Sequence, residues 1–554
     1  MLSRLPRLHL GTVQRSARLL STTDHNRQWR GHSEQGKRAF GNVGSLVAVT
    51  SCAVLGALAH DNRRLWVAHA DATLNEDELV PPKRDDLPIF TKEEVKKHGR
   101  DADKIWVTYK GGVYDVTEFV EFHPGGDKIL LAAGGSIEPY WNLYAQHKTE
   151  EVLEILEELR IGSLDSKDVE TYAPADESDP YAKDPIRHPA LVVNQQRPFN
   201  AETPSELLMD NFRTPNELFF VRNHMPVPQV DPKKHTLVIE GMGVKRPLKL
   251  SVDELKRNYK PVSITSAVQC SGNRRSHMHE YKKTQGLQWA GNAISNAQWT
   301  GVRLRDLLIR AGVNPDDTQI KHVHLEGADS DITGQCYGAS ITFKKAMSPE
   351  TIVAYSMNGQ DIPPDHGAPL RCVVPGIVGA RQVKWLKAIR LSDVESPSHW
   401  QQKDYRVFSA AVEHGDELDW KSVPSIQEYP IQSAFCLPLP GAKVKRSEEF
   451  VEVAGYAWSG GGRGIVRVEV SADGGKTWQS ASLEQDPEQD LDNMWAWTFF
   501  RTSFKIPQKA KEMEFVVKAT DRAYNTQPET ATGIWNVRGL LHNAWHKLRV
   551  QIVD

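Results

Sequence analysis

The segment Ser266-Ala267-Val268-Gln269-Cys270-Ser271-Gly272-Asn273-Arg274-Arg275 sets one thiol within five residues of two guanidinium groups, in a chain of 554 residues with five cysteines. A thiolate is a soft, strong donor to a metal ion. Guanidinium is a planar fork that grips two oxygens of an oxyanion and keeps its charge at any working pH. Side by side they could hold a metal and a small anion, although a single thiol near arginines is by default an ordinary small residue. A second set of chemistry-bearing residues comes earlier: His123 stands before Pro124-Gly125-Gly126, and His147 follows twenty-four residues on. A fixed proline and permissive glycines let backbone come close to a flat ligand, and imidazole is a metal donor. Third, Arg371 and Lys384 sit inside the apolar runs Leu370 to Val374 and Val383 to Leu386. Charges buried in such surroundings usually have a partner.

The elements around these residues read as separate modules. Trp106 to Tyr109, a Lys110-Gly111-Gly112 turn and Val113 to Val116 predict a hairpin. After His147, Val152, Ile155, Leu156 and Leu159 recur at helical spacing and predict a helix with one apolar face. From Gly162 to about Pro189 the chain is polar and acidic without apolar periodicity, the composition of a linker that would let a module swing. Beyond about Phe408, short alternating runs such as Val466 to Val470, followed by Asp473-Gly474-Gly475, and Phe515-Val516-Val517 predict a β-sandwich of immunoglobulin type.

Composition bounds the function. The hydrophobic share of 39% and charged share of 25% are those of soluble globular modules, and the length suits three or four of them. A net charge of −3, with no basic stripe bearing aromatics, argues against nucleic acid. The cysteines show no paired or zinc-finger spacing and their number is odd, so reduced thiols are expected. The first 23 residues carry Arg4, Arg7, Arg15 and Arg18 and no acid before Asp24, as mitochondrial transit peptides do. Leu46 to Ala59 is an apolar run short of the ~20 residues of a comfortable membrane span. It reads as a second sorting signal, cleaved to release a mature protein that is not membrane-embedded into the mitochondrial intermembrane space.

Phe122-His123-Pro124-Gly125-Gly126, after Tyr114-Asp115-Val116-Thr117-Glu118-Phe119, resembles cytochrome b5. That resemblance implies heme b with His123 and His147 as its two axial ligands, and bis-histidine iron passes electrons rather than binding oxygen. Residues 83–166 hold 17 Asp and Glu against 11 Lys and Arg, a net charge of −6 that would steer a basic electron-transfer partner; cytochrome c would suit. Farther on, Phe219-Phe220-Val221-Arg222-Asn223-His224, the Cys270 segment, Gly286-Leu287-Gln288-Trp289, Asp365-His366-Gly367, Gly379 to Lys384 and Asp404-Tyr405 resemble the molybdopterin domain of the sulfite oxidase family.

The second resemblance implies a molybdenum-molybdopterin cofactor with Cys270 as the single protein ligand to molybdenum. Phe220, Val221, Arg222, Asn223, His224, Asp329, His366, Arg371, Gln382, Val383 and Lys384 would hold the pterin and its phosphate. Arg222, Arg275 and Arg538 would bind sulfite, with Trp289 and Tyr405 completing the wall and Tyr405 assisting proton movement. Arg274 is expected to be structural, because in an extended segment it points away from Arg275. The implied reaction is oxo transfer from molybdenum to sulfite, giving sulfate, with electrons leaving one at a time through the heme to cytochrome c. The expected class is α+β multidomain: residues 1–81 transit and sorting region, 82–166 cytochrome b5-like heme domain, 167–187 flexible linker, 188–406 mixed α+β molybdopterin domain, and 407–554 immunoglobulin-like dimerisation domain of a homodimer. Nitrate reductase, which shares both cofactor modules in another order, and a non-catalytic heme carrier are the alternatives.

Overall fold

The computed structural model describes residues 84, 86–123, 126–143, 147, 150–168, 180–331 and 334–554. The transit and sorting region, Pro124-Gly125, Tyr144 to Gln146 and the middle of the linker lie outside the described residues. Among the described residues no helix is long and apolar enough to cross a membrane.

The first module is a four-stranded sheet of β1 (Ile89–Phe90), β2 (Trp106–Tyr109), β3 (Gly112–Asp115) and β4 (Arg160–Leu164), in the order β1-β4-β3-β2. The predicted hairpin is β2–β3. Its turn is the two residues Lys110 and Gly111, both at positive φ (41° and 83°), as the twist of a tight hairpin requires. The predicted helix is Glu150–Glu158, but its inner side differs from the expected one. Leu156 is buried and Val152, Leu153 and Leu159 pack against the core, whereas Ile155 is 39% exposed. The contact stripe is centred between positions 152, 153, 156 and 159, and Ile155 falls on its solvent edge.

The central module continues with β5 (Val192–Gln195), β6 (Asn200–Glu202) and β7 (Val221–Arg222), which form a small antiparallel sheet. Next come β8 (Thr236–Gly241), β9 (Leu248–Ser251), β10 (Val262–Gln269), β11 (Ile294–Arg303), β12 (His322–Ser330), β13 (Cys336–Thr342), β14 (Ile352–Met357), β15 (Gln360–Asp361), β16 (Arg371–Val373) and β17 (Leu386–Ser392). They build two five-stranded sheets, one ordered β10-β11-β14-β15 with β16 beside β14, the other β13-β12-β17-β8-β9. Leu237, Ile239, Val323, Leu325 and Ile389 of the second sheet share one core with Ala267, Ile294, Val302 and Val353 of the first. The functional loops leave the edges of this shared core.

The segment predicted as linker through 187 is tied down before that point. Asp184 accepts from the backbone of Val227, and Arg187 pairs with both Asp184 and Asp365. These residues pack as part of the central module.

The last module has β18 (Gln432–Leu437), β19 (Lys443–Lys445), β20 (Phe450–Trp458), β21 (Ile465–Ser471), β22 (Gln479–Ser480), β23 (Ser482–Glu484), β24 (Thr498–Lys505), β25 (Glu512–Asp521) and β26 (His546–Val553). Sheet β18-β20-β24-β23 faces sheet β19-β26-β25-β21-β22 across a core that includes Val453, Phe500, Val468, Phe515 and Leu548. This is the predicted β-sandwich, with its first strand well beyond residue 407.

Candidate active site

Phe219, Phe220, Arg222 and His224, around β7, face Val268, Cys270 and Ser271, at the end of β10, across a narrow cavity of about 60 Å³. Asp329, Tyr337, Asp365, His366, Arg371, Gln382, Val383, Lys384 and Tyr405 complete its wall. Cys270 is the first residue after β10, and its N–H donates to the Ala293 carbonyl at 2.9 Å, so the sheet fixes the thiol. Burial pushes that thiol up, while the Arg222 and Arg275 charges pull it back down. A metal bound there would settle the balance in favour of thiolate.

Arg222 and its neighbours are set by β6. The Asn200 amide oxygen accepts from Arg222 Nη1 and from the Asn223 backbone, each at 3.1 Å. Burial works against the Arg222 charge, but Tyr405, Cys270 and Asp404 hold its pKa above the usual value. Lys384 donates to the carbonyls of Arg222 (3.0 Å) and Asp365 (2.8 Å) and to the Asn223 amide oxygen. Asp365 is itself clamped by Arg187 at 2.9 and 3.0 Å and by Asn223 at 2.8 Å. Arg371 donates to the carbonyls of His366 and Gln382 and lies 4.7 Å over the Trp299 ring. Burial drives Arg371 down to about 10, His366 down to about 4, Lys384 down and Asp329 up.

This donor set fits an anionic cofactor. Arg222, Arg371 and Lys384 make their hydrogen bonds to neutral carbonyl and amide oxygens, so three cationic side chains line one cavity against two carboxylates, Asp329 and Asp365, the latter already clamped by Arg187. Arg371 Nε and Asp329 Oδ1 are buried without a hydrogen-bond partner, a state that a bound ligand relieves.

Several expected site residues stand behind the cavity rather than on it. Arg275 begins the helix Arg275–Tyr281, and its guanidinium donates to the carbonyls of Arg538 and Gly539, both at 3.2 Å, and to Leu287. Arg538 pairs with Asp404, and its Nε is buried without a partner. Trp289 is buried in the cluster with Phe219, Phe220 and Cys270. Asn223 holds Lys384 and Asp365, and Val221 opens on a different groove. Gln382 does line the cavity, but its side chain is spent on the Val374 and Ile377 backbone.

Arg274 is structural as expected, but not through strand alternation. The strand ends at Gln269; Arg274 takes φ 62° just before the helix, and its guanidinium runs into the last module, donating to the carbonyls of Ser433, Ala544 and Trp545. Sequence reasoning missed Tyr337, Arg187, Asn200 and Glu202. No local pattern marks Tyr337, whose strand is buried almost throughout, and the other three act on residues far along the chain.

In the first module the His123 and His147 rings lie parallel within 5°, with centroids 6.1 Å apart. Two nitrogens each about 2 Å from one metal ion, with roughly another 1 Å from each nitrogen to its ring centre, need a separation of about 6 Å. The pair therefore fits two axial ligands of one iron. Cys270, Cys336, Cys372 and Cys436 are free thiols.

Comparison with known proteins agrees module by module. Residues 91–165 match the cytochrome b5-like heme/steroid binding domain, 224–400 the oxidoreductase molybdopterin binding domain and 423–553 the Mo-co oxidoreductase dimerisation domain. The chain is 50% identical to mitochondrial sulfite oxidase of Homo sapiens over 86% of its own length and 87% of that protein. It is 49% identical to sulfite oxidase of Gallus gallus, over 83% of this chain and 99% of that one. Among solved structures, the sulfane dehydrogenase SoxCD of Paracoccus pantotrophus superposes with a TM-score of 0.53 at 26% identity, covering 64% of this chain and 84% of that chain.

Proposed function

The chain belongs to the sulfite oxidase family, and from that premise we propose that it oxidises sulfite to sulfate at the cavity beside Cys270 and passes the electrons through its N-terminal heme module. It is a mitochondrial molybdenum oxidoreductase with molybdopterin and heme as cofactors, and its last module is the dimerisation domain of a homodimer. The observation that carries the assignment of the site is the meeting of a buried thiol with Arg222, Arg371 and Lys384 in one cavity.

When bound, the molybdenum-molybdopterin group supplies oxo transfer and two-electron chemistry, and heme b supplies one-electron transfer. Cys270 would be the protein ligand to the metal. Arg371 and Lys384, steadied by His366, Asp365 and Asn223, would hold the anionic tail, and Asp329 would accept from the pterin ring. Arg222 draws sulfite to the thiol side of the cavity, and Arg275 and Arg538 add positive field from the layer behind. The low polarity around Phe219, Phe220 and Trp289 keeps those charges effective by excluding water. His123 and His147 would ligate the heme iron.

Cytochrome c is the proposed acceptor. The −6 charge of residues 83–166 supports this, since a basic partner would be steered to that face. The arginine-rich leader followed by the apolar Leu46 to Ala59 run supports delivery to the intermembrane space.

Cys270→Ser in the full chain is expected to abolish sulfite-dependent heme reduction while the heme spectrum and iron content stay as in the parent. Normal sulfite turnover by that variant, with molybdenum retained, would remove Cys270 as the metal ligand.

A further inference from the structure

Oxidation of sulfite takes one oxygen atom from water and releases two protons with two electrons, so the cavity needs a route by which protons leave. Tyr405 is the hydroxyl expected to serve it, and its surroundings fix it closely. Its backbone is at φ 45°, its carbonyl accepts from Ile426 N–H at 3.0 Å and from Arg381 at 3.4 Å, and its N–H donates to Asp404. The Arg381 guanidinium lies 5.7 Å from its ring centre. The Tyr405 hydroxyl is 2.5 Å from His224 Nε2.

His224 was expected among the pterin contacts, yet this ring nitrogen is committed to the phenol. The imidazole packs against a pair of neighbouring aromatic rings, Tyr337 at 4.8 Å between ring centres and Trp400, edge to face, at 6.0 Å. We infer that His224 is the proton acceptor of Tyr405, and that the two side chains form the first step by which protons leave the cavity. In that step a water O–H bond in the cavity breaks as its proton joins Tyr405 Oη. The O–H that Tyr405 already carried breaks as its proton joins His224 Nε2. Imidazole becomes imidazolium, hydroxide remains for oxygen transfer, and no electron changes hands.

Burial raises Tyr405 and lowers His224, so the groups around the pair disfavour a resting imidazolium and make it a transient carrier of the proton. Tyr337 and Tyr405 are the phenols against the ring; Arg222 and Lys384 are the cations that face it, and Arg381 and Asp404 flank Tyr405. Burial first, then Arg222 and Lys384, hold the His224 imidazole well below its usual range. The imidazolium is thus disfavoured there, and a proton received at Nε2 is passed on rather than held.

This inference rests on Tyr405 serving the sulfite site, and one experiment separates the two. His224→Gln, His224→Ala and Tyr405→Phe are made in the full-chain holoenzyme, with molybdenum and heme content measured first and kcat and KM then followed across pH in H₂O and D₂O. His224→Gln keeps the size and polarity of the side chain but cannot take a proton. The expected result is a kcat lower by about tenfold to a hundredfold, KM for sulfite within about threefold, a larger solvent isotope effect, unchanged molybdenum, and partial recovery of His224→Ala by added imidazole. A His224→Gln variant with the parent pH profile and isotope effect overturns the inference, as does loss of molybdenum without imidazole rescue. If Tyr405→Phe is also unimpaired, the role of Tyr405 falls with it; if only Tyr405→Phe is impaired, His224 alone is excluded.

Discussion

Arg275 reaches its place because three residues near it have no side chain. A Cβ on Gly272 would come within 2.7 Å of its guanidinium, one on Gly286 within 3.1 Å, and one on Gly539 within 2.6 Å of its Cγ. Gly539 also sits at φ 59°, in the left-handed region where a Cβ is unwelcome. Gly539→Ala is therefore expected to displace Arg275 and weaken sulfite binding, lowering kcat/KM by about tenfold, mainly through KM. Steady-state kinetics with molybdenum and heme contents confirmed would check it, and an unchanged KM would argue that Arg275 contributes nothing to the anion. At this scale the sequence made residue types legible but not their sight lines. Cys270, Arg222, Tyr405, Arg371 and Lys384 do meet on one cavity. Arg275, Arg538 and Trp289 stand one layer back, and no local spacing distinguishes a residue that faces a cavity from one that supports it.

Glu202, at the end of β6, does for an element what those glycines do for a side chain. Its carboxylate is buried and accepts the backbone N–H groups of Ala290, Gly291 and Asn292 at 2.9, 2.9 and 2.7 Å, and the Asn194 amide at 2.8 Å. The loop it gathers carries Trp289 and the Ala293 carbonyl that fixes Cys270, so one acid links β6 to the thiol. Glu202→Gln replaces one acceptor oxygen by a donor facing backbone N–H groups, and should cost about 1–3 kcal/mol, read as a lower Tm. Hydrogen exchange should rise first at residues 289–293; uniform protection there would show that the loop holds itself. The β2–β3 hairpin and the strands of the last module were legible, since alternation and turn residues are local signals. The short β5, β6 and β7 were not. Strands of two to four residues lack a period to detect and exist because they pair with one another.

Across the whole molecule, Arg274 and three histidines form the joint between the central and last modules. His277 stacks on His546 at 5.0 Å and meets the edge of His542 at 6.0 Å, while Arg274 Nε donates to His277 Nδ1 at 3.1 Å. Burial, then the Arg274 charge, holds His277 down at about 3, and the same causes keep His542 and His546 low. Below pH about 6.5 the unfolded chain binds protons at these sites and the folded chain does not. Stability is thus intact above about 6.5 and lost progressively as pH falls toward about 3, by about 1.4 kcal/mol for every tenfold by which folding weakens a histidine's hold on its proton. The Tm should drop between pH 6.5 and 4, and less steeply in His277→Gln; a flat Tm over that range would remove the joint as the acid-sensitive point. The order of modules, the candidate ligand thiol and the heme motif could be read from the chain alone because the motifs that carry the two family resemblances are short and contiguous, and the basic character of the anion site because it rests on residue types. It took the folded chain to show that Tyr405 meets His224 from 181 residues away and Arg187 meets Asp365 from 178, and that Arg274 leaves the site for the next module. Those contacts follow from how the sheets pair and pack, which brings together residues whose neighbourhood no local pattern encodes.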